Sequence, residues 1–115
     1  MKYMITFNHT DGEWGKLSRD EQEKHSKWLV ELGASLKKIG SQLVFFRPHQ
    51  EAKTIRMTHN QQLQITEGLR DNSDEQPGGY YIVDVESEEE AIEWARKGRF
   101  MVGSNEIRQI VDFEI

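Results

Sequence analysis

The residues best suited to chemistry crowd into one stretch. Between Thr66 and Gln76 the chain reads TEGLRDNSDEQ and carries Glu67, Arg70, Asp71, Asp74 and Glu75. A carboxylate can take or give a proton, and a guanidinium can hold an anionic substrate through paired hydrogen bonds. The same composition also describes a solvated charged loop. His25 is a second candidate base, since an imidazole titrates close to neutrality. Its alternative is a boundary histidine hydrogen-bonded to the backbone. Arg47, Asp84 and Arg108 sit in or at the ends of apolar segments. They would line a cavity, or form ion pairs where two copies of the chain meet.

Several kinds of chemistry are excluded or disfavoured. There is no cysteine, so disulfides, thiolate nucleophiles and thiolate-bound metals are absent. Of the four histidines, His9, His49 and His59 fall in predicted loops and none pairs with His25 at helix or strand spacing. No metal site is expected. Gly78-Gly79 lacks the preceding strand and following helix of a nucleotide loop, so no cofactor is expected either. The formal charge is −5, and lysines and arginines are scattered among acids. A nucleic-acid binder would show a basic face, which is not apparent here. The N-terminal MKYMITFNHT is too short and polar for a signal peptide. No apolar run reaches the roughly 18 residues of a membrane helix. A cytoplasmic protein is expected. With 115 residues it forms one domain, residues 1–115.

The elements that must position these residues follow from periodicity. Tyr3, Ile5 and Phe7 alternate with Met4, Thr6 and Asn8, predicting a strand over 2–8. Residues 9–17 read as a loop, in which Trp14 either folds back on the core or closes over a pocket. Ser18 and Glu21 have capping-box spacing. His25, Trp28, Leu29, Leu32, Leu36 and Ile39 then form one helical stripe, and Gly40 ends it. A Gly33 inside this helix weakens it or marks close packing. QLVFFR, 42–47, predicts a second strand. KTIRMT, 53–58, and QLQIT, 62–66, predict an exposed two-stranded ribbon. GYYIVDV, 79–85, is the strongest strand pattern, although Asp84 within it needs water or a partner. Ser87 and Glu90 start a short helix ending at Gly98, and 106–115 predicts the last strand.

The order βαβ, ribbon, βαβ predicts an α+β, ferredoxin-like sandwich: an antiparallel sheet with two helices on one face. The other face carries Met4, Thr6, Asn8, Tyr80, Ile82, Asp84, Arg108, Ile110 and Asp112 and is half apolar. That composition suits a homodimer with sheets face to face around a partly polar cavity.

The whole chain resembles the YCII-related family, in its branch with the DGPF motif, within the dimeric α/β-barrel superfamily. The opening MKYM and the helix start SRDEQ at Ser18–Gln22 are similar to that branch. Its hallmark DGPFAETKEQLGGYYIVDV aligns without a gap on EGLRDNSDEQPGGYYIVDV, Glu67 to Val85, and SEEEAIEWA follows from Ser87. The departures concentrate in the polar half. Glu67, Leu69 and Arg70 replace the Asp, Pro and Phe of DGPF, while Glu75 is kept. Some relatives carry a helix histidine and a later aspartate as an acid/base pair. Here those positions read Leu29 and Arg96-Lys97-Gly98-Arg99, with His25 one turn before Leu29.

Two functions are consistent with these residues. One is a proton-transfer isomerase or lyase acting on an acidic or enolisable compound. In it Glu67 or His25 is the base, Arg70 or Arg47 the anion binder, and Asp71, Glu75, Asp84 and Arg108 the remaining lining. The other is a non-catalytic dimer that senses a small acidic ligand or meets a protein partner.

Overall fold

The computed structural model describes residues 1–10, 12–70, 73–98 and 103–112. The elements are β1 (Lys2–Thr10), α1 (Glu13–Lys16), α2 (Arg19–Lys38), β2 (Val44–Phe45), β3 (Lys53–Met57), β4 (Leu63–Glu67), β5 (Glu75–Asp84), α3 (Glu88–Lys97) and β6 (Ser104–Ile110). A 3-10 turn, His49–Glu51, precedes β3. The main sheet has the order β2-β5-β1-β6, and each neighbouring pair runs antiparallel. With the β3–β4 ribbon set aside, this is the ferredoxin-like α+β arrangement.

The predicted capping box forms in full. Ser18 Oγ accepts from the Glu21 N–H at 3.2 Å, and the Glu21 carboxylate accepts from the Ser18 N–H at 3.1 Å. The Ser18 N–H, and after it the Ser18 hydroxyl, hold the Glu21 carboxyl below its usual pKa. At α3 the second arm is shifted: Ser87 Oγ accepts from the Glu90 N–H, whereas the Glu90 carboxylate accepts from the Glu86 N–H.

Alternation along the strands puts Tyr3, Ile5, Phe7, Tyr81 and Val83 on the helix side. They pack with Val85 against Leu32 and Leu36 of α2 and Ala91 and Ala95 of α3. The Tyr81 hydroxyl crosses this core to donate to the Trp94 carbonyl at 3.1 Å. Burial pushes its pKa well above the usual tyrosine value.

Several boundaries differ from the sequence reading; β1 runs on to Thr10, and the ribbon strands shift by one residue. β2 keeps two residues, because only Val44 and Phe45 find partners, Tyr80 and Gly79. β5 begins at Glu75, four residues early, and runs through Pro77. Proline gives no N–H to the ladder, and the strand accommodates it at a register shift: Phe7 faces Gly79 while Asn8 faces Pro77. β6 starts at Ser104 and ends at Ile110, and residues 113–115 of the predicted last strand lie outside the described residues. The predicted loop 9–17 also contains the helical turn α1, after Gly12 at φ 80°.

Candidate functional site

Two neighbouring features have the geometry of a site. The first is a groove of about 970 Å³ between α2 and α3. α2 contributes Lys24, Lys27, Trp28 and Glu31, at steps of three, one and three, which place them on one stripe of the helix. α3 contributes Ile92, Ala95 and Arg96 by the same periodicity. Gly103, Ser104 and Asn105 at the start of β6 close one end. The result is an apolar floor of Trp28, Ile92 and Ala95, rimmed by three cations and one carboxylate. Arg96 shares its charge with Glu93 at 3.4 Å. Among the described residues Lys24 and Lys27 enter no ion pair. Such a rim attracts an anion, and such a floor accepts an apolar or aromatic body.

The second feature is a chain of polar contacts where β1, β5 and β6 meet. Asn8 is 4% exposed. Its Nδ2 donates to Ser104 Oγ at 3.3 Å and to Glu106 Oε1 at 3.1 Å. Ser104 Oγ in turn donates to Glu75 Oε1. The Asn8 amide orientation follows from Glu106, which as a carboxylate can only accept. Among the described residues, Asn8 Oδ1 and the buried Thr6 Oγ1 find no hydrogen-bond partner. Backbone fit supports the cluster: a Cβ on Gly103 would lie 2.1 Å from the Asn8 carbonyl oxygen, so only glycine lets β6 approach here. Ser104 belongs to both features.

Of the nine residues singled out in the sequence, Glu75 is the one placed in this cluster among the described residues. Glu67 lies on the β3–β4 ribbon, where Lys53 Nζ holds its carboxylate at 3.2 Å. Arg70 follows the ribbon and is exposed. Arg47 pairs with Glu51 at 3.1 Å across the 3-10 turn. Asp71 lies outside the described residues. Asp84 finds the partner its strand position demands, the N-terminal ammonium at 3.1 Å. With Lys2, Ser41, Val44, Tyr80 and Ile82 it lines a hollow of about 470 Å³ on the open sheet face. Arg108 stands opposite Met4 on that same face.

His25 is 3% exposed and faces inward from α2. The Trp14 ring meets it edge-on at 5.6 Å and Trp28 at 6.4 Å. Desolvation lowers its pKa, so the neutral form is favoured. Glu67 and Arg70 lie elsewhere, on and just after the β3–β4 ribbon.

The sequence reading did not single out Lys24, Lys27, Asn8, Ser104 and Glu106. The signal for the first two was available: Lys24, Lys27, Trp28 and Glu31 repeat at helical spacing beside the apolar stripe. The polar cluster had no local signal, since Asn8 and Ser104 are 96 positions apart.

Among the described residues, no helix is long and apolar enough to cross a membrane. Comparison with curated proteins gives no match. The family profile described as the YCII-related domain matches residues 1–114. The chain therefore belongs to the YCII-related family.

Proposed function

We propose that this chain binds a small organic acid with an apolar or aromatic body in the groove between α2 and α3. One observation carries the reading: Lys24, Lys27 and Arg96 rim a floor of Trp28, Ile92 and Ala95, with Glu31 the sole carboxylate in the described lining. A carboxylate on the ligand would gain charge-assisted hydrogen bonds at the rim, and its body would displace water from the floor. Glu67, Arg70 and Arg47 have no part in this geometry.

The experiment is thermal-shift and calorimetric screening of the intact chain against benzoate, phenylacetate and short aliphatic acids. Binding of aromatic acids that Lys27→Ala and Arg96→Ala both weaken supports the reading. Binding unchanged in both variants removes it.

A proton-transfer reaction on the bound acid is a second reading, favoured by the hydrogen bond from Ser104 to Glu75 at the end of the groove. A carboxylate there can draw a proton from the ligand carbon beside its carboxyl group, directly or through the hydroxyl, and return it. In deuterium oxide this would appear as exchange of that carbon-bound proton in the ligand's NMR spectrum. Loss of exchange in Glu75→Gln with binding retained supports catalysis. Absence of exchange in a saturated native complex leaves a binding protein.

A further inference from the structure

The hydrogen bonds around Ser104 have a direction. A serine hydroxyl has one proton to give and two lone pairs to receive. Asn8 Nδ2 meets one lone pair at 3.3 Å, and it also donates to Glu106 Oε1 at 3.1 Å, which fixes the amide. The proton of Ser104 is thereby sent to Glu75 Oε1. Among the described residues Glu75 enters no ion pair, so no cation competes with the hydroxyl for its charge. A hydroxyl aimed at a carboxylate, and held from its other side by a third group, has the arrangement of an activated nucleophile.

Its position agrees with that role. Ser104 is exposed, and it lines the end of the groove between α2 and α3. Gly103 before it has φ 116°, a conformation that favours glycine, and the chain enters β6 there with Ser104 opposite Asn8. Lys24, Lys27, Arg96 and Trp28 line the same groove. A ligand held by its carboxylate at these cations, with its ring on Trp28, presents its remaining substituent to Ser104. We infer that Ser104 is the nucleophile, and Glu75 its general base, in the hydrolysis of aryl esters that carry a carboxylate, such as acylated hydroxybenzoates. This activity uses the groove of the proposed acid-binding function and rests on it.

The steps balance with water as the co-reactant. Glu75 takes the proton of Ser104 as Oγ bonds to the ester carbon. An electron pair moves onto the carbonyl oxygen, and the Asn8 N–H that met Oγ is placed beside that developing charge. When the pair returns, the bond to the aryl oxygen breaks, and the hydroxybenzoate leaves with the proton from Glu75. Water then gives a proton to Glu75 and adds to the acyl carbon. The carboxylic acid departs, and Ser104 recovers its proton from Glu75.

The test gives the intact chain 4-acetoxybenzoate and 4-pivaloyloxybenzoate. Release of 4-hydroxybenzoate from the acetyl ester should saturate, and Ser104→Ala and Glu75→Gln should each lower kcat/KM by about a hundredfold or more. Glu75→Gln keeps a hydrogen-bond acceptor beside Ser104, so its loss of activity reports basicity rather than fold. Phenyl acetate, which lacks the carboxylate, should react about tenfold less efficiently. The hindered pivaloyl ester should leave its acyl group on the protein. The chain has no cysteine, and the tryptic peptide 100–108, FMVGSNEIR, contains Ser104 as its one hydroxyl and no lysine, so mass spectrometry locates the adduct. Ester hydrolysis undiminished in both variants, or acylation confined to lysines, would overturn the assignment. If benzoate binds the native chain but neither release nor adduct is seen, acyl transfer falls and the acid-binding groove stands. If benzoate does not bind, the groove reading falls and the role of Ser104 with it.

Discussion

The indole of Trp14 meets the imidazole of His25 edge-on, with ring centroids 5.6 Å apart and planes at 65°. Trp14 is itself 47% exposed and fixed by its carbonyl, which accepts from Gln22 Nε2 at 2.8 Å. It is thus neither core nor free lid; it shields one histidine from water.

That shielding has a pH consequence. In the unfolded chain His25 takes its proton near its ordinary pKa of 6.5, while burial keeps the folded form neutral to lower pH. The unfolded state binds the proton first. The stability contribution is therefore complete above about pH 6.5 and declines as pH falls towards the lowered folded value. Urea midpoints measured between pH 8 and 5 should fall less steeply in His25→Leu than in the native chain. Trp14→Ala, which opens the site to water, should shift the histidine's NMR titration upward. A titration of His25 unchanged by Trp14→Ala would contradict this account.

Two glycines should respond oppositely to alanine. At Gly33, inside α2, a new Cβ would meet only Leu43 Cδ1 at 3.9 Å, an ordinary contact. Gly33→Ala should stabilise the protein by up to about 1 kcal/mol through helix propensity. At Gly79 the Cβ would lie 2.2 Å from the Val44 carbonyl oxygen and 2.4 Å from Phe7 Cζ. Gly79→Ala should cost about 1–3 kcal/mol or more by forcing β2 away from β5. Chemical denaturation of both variants, with m-values compared, checks the pair.

Asn8 can be tested by adding charge without adding size. Asn8→Asp would place a third carboxylate beside Glu106 and close to Glu75, in a buried position. Crowding and desolvation would raise its pKa, so the loss of stability should exceed about 2 kcal/mol at neutral pH. With a raised folded pKa, the deficit should shrink as pH falls through that value. A deficit independent of pH would argue against the cluster.

Ligand affinity in the groove should carry an electrostatic signature. Arg96→Ala should weaken an aromatic acid by about tenfold, the loss of a charge-assisted hydrogen bond. Raising ionic strength should weaken binding in the native protein more than in Lys24→Ala/Lys27→Ala, because the screened charges are already gone. Isothermal titration at two salt concentrations distinguishes these cases.

The buried hydroxyl of Tyr81 bonds a carbonyl that already accepts from the Gly98 N–H at 3.2 Å. Tyr81→Phe should therefore cost only about 1 kcal/mol, since the Trp94 oxygen keeps one partner. Thermal unfolding of the variant gives the answer directly.

The sequence by itself determined whatever repeats within one element. The Ser18–Glu21 box, the Leu32–Leu36 stripe, the Tyr3–Ile5–Phe7 alternation and the exposed ribbon each depend on neighbours a few positions apart, and each formed as its period required. The βαβ order then sufficed for the fold class. Contacts between distant strands have no such period. Glu75 was legible only as one acid in a charged stretch; pairing of β5 with β1 and of β6 with β1 is what brings it to Ser104 and Asn8. The groove likewise depends on how far apart α2 and α3 settle on the sheet, which the size of Leu32, Leu36, Ala91 and Ala95 decides only once they pack together. Local geometry is written in residue spacing, whereas the candidate site is a product of register and packing, and these are settled by the whole chain at once.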